Sequence, residues 1–355
     1  MINVTRTFLP SQEEYQEILS TVWETKWITN RGVLVKKLEN LISNYLECSM
    51  PILMTNGTLP LQIALKGFEI KGEVITTPFS YIATTSSILW EGCSPVFVDI
   101  DPRYLSIDEE LIVDKITDKT EAILVTHVFG NPCNIEVLQA ISNKYGLKLI
   151  FDAAHCFGVK YKNKSIFEYG DVSTCSFHAT KLFHTGEGGA LFCKPELRDL
   201  FYYRHNFGHI DSENFLCVGI NAKMSELQAA LGLAMLPYIS NLIAERKSLH
   251  DYYINNLTID FAFEIRAETI WNYAYFPVLF EDESRLLRAI SSLNKNDIYP
   301  RRYFYPSLES VSVISNQHKS CPISNDVSKR ILCLPFYNGL EKKDILKICN
   351  LINEL

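Results

Sequence analysis

The sequence predicts an α/β protein with a mostly parallel central sheet and a smaller α+β domain at its carboxyl end. Three observations carry that reading. Over the first 240 residues, short apolar runs alternate with amphipathic helical patterns, as they do when a parallel sheet is covered by helices on both faces. Beyond that point long helical patterns dominate and strands become sparse. A chain of 355 residues, 47% of them hydrophobic, can also fill one large core and one small one. The expected division is a large domain over residues 1–240 and a small one over residues 241–355.

The elements follow in order. Residues 33–46 space apolar side chains by three and four, the pattern of an amphipathic helix. Ile52-Leu53-Met54 reads as a strand leading to a helix from Leu59 to Gly67. Glu73 to Thr77 is the next strand, followed by a helix from Ile82 to Glu91. Val96 to Val98, Ala122 to Thr126 and Leu147 to Phe151 are further strands. A helix from Ile135 to Tyr145 separates the last two and stops at Gly146, a residue suited to a helix C-terminus. Val172 to Phe177 is one more strand, and a helix near Met224 to Leu233 precedes the change of pattern.

Sheets of this kind bind ligands beyond the carboxyl ends of their strands. The residues just past those ends are Thr55-Asn-Gly-Thr58, Pro78-Phe-Ser-Tyr81, His127, Asp152-Ala-Ala-His155 and Ser176-Phe-His-Ala-Thr-Lys181. Together they equip one rim for an aromatic, phosphorylated aldehyde. Lys181 can bond covalently to the aldehyde, and Asp152 can hold a proton on a ring nitrogen. Ser176 can hydrogen-bond a phosphate, and Gly57 and Thr58 open a helix whose free N–H groups and dipole favour one. Tyr81 can stack on the ring, His155 can reach its phenolic oxygen, and the small Ala153 and Ala154 leave room for it. Taken singly, each has a plainer account: a solvated lysine, an N-cap aspartate, a structural histidine, a capped turn at Thr58, a core tyrosine. The joint placement points to a pyridoxal-phosphate (PLP) enzyme.

Composition narrows the alternatives. A formal charge of −7 argues against nucleic acid as a partner. No apolar run approaches the ~20 residues of a membrane span, and Met1 to Phe8 lack the layout of an export signal. The ten cysteines form no C-x-x-C pair. Cys93, Cys133, Cys156, Cys175 and Cys193 read as small buried hydrophobes in a reducing compartment, so the cytoplasm is expected and no metal site is. The absence of G-x-G-x-x-G and of G-x-x-x-x-G-K-[ST] weakens dinucleotide and nucleoside-triphosphate readings.

Seven segments, in order over about the first 235 residues, carry a resemblance. They are Thr55-Asn-Gly-Thr58, Thr77-Pro-Phe-Ser-Tyr-Ile-Ala-Thr84, Pro95-Val-Phe-Val-Asp-Ile-Asp101, Phe151-Asp-Ala-Ala-His155, Ser176-Phe-His-Ala-Thr-Lys181, Gly186-Glu-Gly-Gly189 and Gly219 through Ala230. The chain resembles the DegT/DnrJ/StrS sugar aminotransferases. The resemblance implies an aspartate-aminotransferase-type (fold type I) PLP fold acting on nucleotide-linked keto sugars. It implies that Lys181 is the Schiff-base lysine and Asp152 the pyridinium partner, with Tyr81 stacking and His155 on the ring oxygen. Gly57, Thr58 and Ser176 then bind the cofactor phosphate. Asn221 matches an asparagine that reaches the neighbouring subunit's phosphate, which implies a homodimer with shared active sites. Lys223 departs from the pattern, since arginine is frequent there.

Gly72 to Tyr81 and Tyr299 to Leu308 most resemble the enzymes that make dTDP-4-amino-4,6-dideoxyglucose for O-antigen lipopolysaccharide. In the second run, Arg301 or Arg302 can pair with a pyrophosphate, and Tyr303 and Tyr305 offer rings and hydroxyls to substrate. The implied reaction moves an amino group from L-glutamate to C4 of dTDP-4-dehydro-6-deoxyglucose. A 3-aminotransferase on a 3-keto isomer and a catalytically idle binding protein on the same fold are the alternatives.

Overall fold

The computed structural model describes residues 1–314 and 321–355. Helix α1 (Gln12–Thr25) opens on a reciprocal cap that sequence reading missed. The Ser11 hydroxyl accepts from the Glu14 N–H, and the Glu14 carboxylate accepts from the Ser11 N–H. Helix α2 (Val33–Leu46) has no side-chain cap on its own N-cap residue. The buried Glu226 carboxylate takes that role from far along the chain, accepting from the N–H groups of Gly32, Leu34 and Val35.

Seven strands make the central sheet: β1 (Ile52–Met54), β2 (Glu73–Thr76), β3 (Ser94–Phe97), β4 (Thr120–Thr126), β5 (Lys148–Asp152), β6 (Val172–Ser176) and β7 (Gly189–Cys193). Their order is β1-β7-β6-β5-β4-β2-β3. Only β7 runs antiparallel to its neighbours; every other pairing is parallel. Alternate residues feed two cores. Ile123 and Val125 of β4 face one, and Ala122 and Leu124 face the other, as a strand buried on both sides requires. Helices α3 (Leu59–Gly67), α4 (Ile82–Trp90) and α5 (Ile135–Tyr145) are the crossovers. The α5 C-terminus falls at Gly146 in the left-handed conformation.

Helix α6 (Glu226–Met235) continues through the turn Leu236–Tyr238 into α7 (Ile239–Asn256). Joined end to end, Glu226–Asn256 is long and apolar enough by composition to cross a membrane, yet half of its apolar window is buried inside the protein. Sequence reading saw no such run because it took the helices separately. The remaining elements are β8 (Pro277–Leu279), α8 (Glu283–Lys295), α9 (Pro322–Arg330), β9 (Ile331–Cys333) and α10 (Lys342–Asn353), with β8 and β9 antiparallel. Leu249 and Tyr253 of α7, Phe276 just before β8, Leu286 and Leu293 of α8, and Ile345 and Ile348 of α10 build their own core.

The two cores are tied by the first residues of the chain. Ile2–Asn3 pairs in parallel with Ile298–Tyr299, and Phe336 N–H donates to Val4 O at 2.9 Å. A few residues on, the Thr7 hydroxyl donates to Ala179 O at 2.9 Å, and His184 Nε2 meets Phe8 O at 2.7 Å. All ten cysteines are free thiols and eight are buried, including the five singled out from sequence.

Candidate active site

Gly57, Thr58, Tyr81, Asp152, His155, Ser176 and Lys181 lie on one cleft of about 400 Å³ at the carboxyl edge of the sheet. Strand pairing is what gathers them. Parallel β5 and β6 end side by side, and β7 returns antiparallel so that Gly189 lies opposite both Ser176 and Met54. A Cβ at Gly189 would stand 2.3 Å from Asn56 O, and one at Gly57 would stand 2.7 Å from the Ser176 Cβ. Only glycines let these backbones meet.

The α3 N-terminus is capped by Asn56, whose side-chain oxygen accepts from Thr58 N–H at 2.9 Å and Leu59 N–H at 3.0 Å. Thr58 is the N-cap residue by position but its hydroxyl makes no capping bond. Among the described residues that hydroxyl has no hydrogen-bond partner, and it shares the cleft with Ser176, whose own oxygen accepts from His178 N–H at 3.4 Å. A hydroxyl at the start of a nine-residue helix and another at the end of β6 make an anion cradle.

Asp152 is 6% exposed at the floor of the cleft. Thr84 of α4 donates its hydroxyl to Oδ2 at 2.6 Å, and Ala154 N–H donates to Oδ1 at 3.1 Å. Ser80 bridges Thr84 and Thr126 at 2.9 Å each, extending the network to the end of β4. Burial pushes the Asp152 carboxyl above its ordinary range, against the pull of Thr84, Ala154 N–H and the charge of Lys181. A cation opposite Asp152 would offset that cost. Thr84 escaped sequence reading as a site residue, although it closes the segment that begins at Thr77 and sits in the first turn of α4.

His155 Nδ1 accepts from Phe129 N–H at 3.0 Å, which leaves the proton of the neutral ring on Nε2. Burial, with Lys181 behind it, holds this histidine well below its ordinary pKa. His127 stood among the rim residues in sequence but turns into the core. Its Nδ1 accepts from Cys133 N–H, its ring stacks on Phe151 at 4.5 Å, and burial lowers its pKa to about 3. Tyr81 is 55% exposed, so it is no core tyrosine. The Lys181 Nζ donates to the Tyr275 hydroxyl at 3.0 Å, a partner that sequence reading also missed.

The run Tyr299 to Leu308 divides. Arg301 and Tyr303 line the cleft with Phe304, the Arg301 guanidinium lying 4.9 Å from the Tyr303 ring centroid. Arg302 and Tyr305 do not line it. Arg302 donates to Glu283 at 2.8 Å and to Lys329 O at 3.0 Å, and stacks on the Tyr305 ring at 3.4 Å. A cation satisfied by a carboxylate and by the last carbonyls of α9 is committed elsewhere. Asn221 also lies outside the cleft, exposed and accepting from Lys223 Nζ at 2.8 Å.

The sequence profile of the DegT/DnrJ/EryC1/StrS aminotransferase family matches residues 10–353. A dTDP-4-amino-4,6-dideoxy-D-glucose transaminase of Shigella dysenteriae is 38% identical over 362 residues, covering 100% of this chain and 99% of its own. A GDP-perosamine synthase of Escherichia coli O157:H7 is 29% identical, covering 96% and 94%. The crystal structure of DesI with its TDP-sugar product superposes with a TM-score of 0.93 at 28% identity, covering 99% of this chain and 92% of that one.

Proposed function

The chain belongs to the DegT/DnrJ/EryC1/StrS aminotransferase family of PLP-dependent sugar transaminases, and we propose that it transfers an amino group from L-glutamate to C4 of dTDP-4-dehydro-6-deoxyglucose. The products are 2-oxoglutarate and dTDP-4-amino-4,6-dideoxyglucose, a precursor for O-antigen. The observation that carries this choice of sugar is 38% identity, end to end, with a transaminase named for that amino sugar.

The donor set of the cleft fits PLP. The Thr58 and Ser176 hydroxyls would hold the phosphate at the positive end of the α3 dipole, with Gly57 allowing the approach. The N–H groups of Thr58 and Leu59, expected from sequence to be free for it, are taken by Asn56. Asp152 would keep a proton on the ring nitrogen, whose charge answers the cost of burying that carboxylate. His155 would donate its Nε2 proton to the ring oxygen, and Tyr81 would cover a face. Bound there, PLP supplies an electron sink for charge developing at the amino-bearing carbon. Lys181 would bind it covalently. Once displaced by glutamate, Lys181 Nζ takes the proton from glutamate Cα; in the second half it returns one to C4 of the sugar. Arg301 would pair with the substrate pyrophosphate, beside the Tyr303 ring.

Asn221 has no part in its own cleft, and we place it at the neighbour's phosphate in a homodimer. Phe207, Phe215, Leu216 and Val218, all in the loop before it, expose 48–82% of their surface, as a face covered by a second copy would. Ten free cysteines suit the cytoplasm.

The deciding experiment offers dTDP-, UDP- and GDP-linked 3- and 4-keto-6-deoxy sugars with glutamate and identifies products by mass and NMR. The dTDP-linked 4-keto sugar should give the highest kcat/KM; preference for a 3-keto sugar or another nucleotide overturns the assignment. Mixing inactive Lys181→Ala and Asn221→Ala proteins should restore activity through hybrid dimers.

A further inference from the structure

We propose that Tyr275 is a positioning residue: its hydroxyl holds the Lys181 amine in the cleft while the lysine is free of the cofactor. The inference rests on the reading of Lys181 given above and deepens it. Lys181 Nζ donates to the Tyr275 hydroxyl at 3.0 Å, and among the described residues Lys181 makes no salt bridge. The absence of a contacting carboxylate matters. A carboxylate against Nζ would hold the amine charged, whereas a base must give up its proton. A phenol is neutral, accepts from an ammonium or an amine, and can donate to the amine's lone pair.

The loop carrying this hydroxyl is held with unusual investment of buried polar groups. Trp271 Nε1 donates to Phe129 O at 2.9 Å. Asn272, 1% exposed, donates to His155 O at 2.8 Å and Phe157 O at 2.9 Å. Arg246, 5% exposed, has no carboxylate partner among the described residues; it donates to Ala274 O at 2.9 Å and Asn338 Oδ1 at 2.8 Å. These bonds draw the loop against the backbone of His155 and end at Tyr275. Its ring is then packed at 4.7 Å from His155 and 5.4 Å from Phe129. A lysine released from its bond has four flexible torsions and many rotamers to explore. A fixed acceptor beside Nζ confines it to the geometry that proton transfer needs.

Tyr275→Phe keeps the ring contacts and removes only the hydroxyl. In the glutamate half-reaction, its rate should fall about 10- to 100-fold. KM for glutamate should stay within about threefold, since the hydroxyl contacts the lysine rather than the substrate. The isotope effect from α-deuterated glutamate should rise as proton transfer becomes limiting. In the cofactor-free protein, the pH midpoint for acetylation of Lys181, read by mass spectrometry, should shift. The other titratable groups on the cleft (Tyr81, Asp152, His155, His178, Glu187, Arg301 and Tyr303) are unchanged in the variant.

Unchanged rate, isotope effect and acetylation profile overturn the proposal. Should Tyr275→Phe fail to fold, 3-fluorotyrosine at position 275 keeps shape and hydroxyl while acidifying the phenol; an unmoved acetylation midpoint then overturns it equally. Borohydride reduction followed by digestion separates the two levels. A label away from Lys181 sinks the assignment of the lysine, whereas a label at Lys181 with indifferent Tyr275 variants sinks only this inference.

Discussion

The rim of the large sheet and the run Tyr299 to Leu308 both supplied candidate residues, and they behaved differently. On the rim, seven candidates from four separate segments share one cleft. In the later run, four candidates from five consecutive positions split into two pairs that face apart. The rim is governed by topology: strand ends in a parallel sheet lie side by side wherever they fall in sequence. The later run is governed by local competition, in which the α9 C-terminus and Glu283 claim one arginine and leave its neighbour free. Nearness in sequence was the weaker guide.

Four measurements break or sharpen that contrast. Lys181→Ala should lose turnover and the absorbance of the bound cofactor altogether; near-normal turnover would dissolve the rim as a catalytic site. Asp152→Asn should lower kcat by about 10³-fold, yet stabilise the cofactor-free protein by ~1 kcal/mol near pH 7. The sign follows from burial raising this carboxyl, so that its charge costs stability above the raised pKa. Steady-state kinetics read the first effect and urea unfolding of the cofactor-free protein the second.

In the later run, Arg301→Gln should raise KM for the nucleotide sugar about 10-fold or more. Arg302→Gln should leave KM within about twofold while costing ~1 kcal/mol of stability. Equal kinetic effects of the two would erase the division of the run. The smallest effect is on acid stability. Burial lowers His127 to about 3 and His205 to about 4, and holds His155 well below its ordinary value. The unfolded chain therefore binds more protons below pH 6.5, and stability falls as the solution is acidified. Asp152, whose carboxyl burial raises, runs the other way. A urea midpoint that stays flat between pH 6.5 and 4.5 would refute those burials.

Most of the sheet was legible because each strand is a short apolar run closed by a polar residue. Predicted ends of β1, β2, β4, β5 and β6 fall within two residues of those observed. Strand β7, Gly189–Cys193, was not foreseen: buried on both faces, it shows no alternation and merges with the glycine loop before it. Helix α1 was passed over although Ser11 and Glu14 announce its cap. Thr84 was within reach, since it ends the same segment that carries Tyr81. Tyr275 was not, because its place depends on Arg246, Asn272 and Trp271 bonding to distant carbonyls.

The pairing of Ile2–Asn3 with Ile298–Tyr299 sets a waiting time on the ribosome. At 5–20 residues per second, roughly 15–60 s separate the emergence of the two strands. The nascent large lobe must collapse around its lysine while Ile2 and Asn3 are still loose, because the strand that stitches them down has not yet been made.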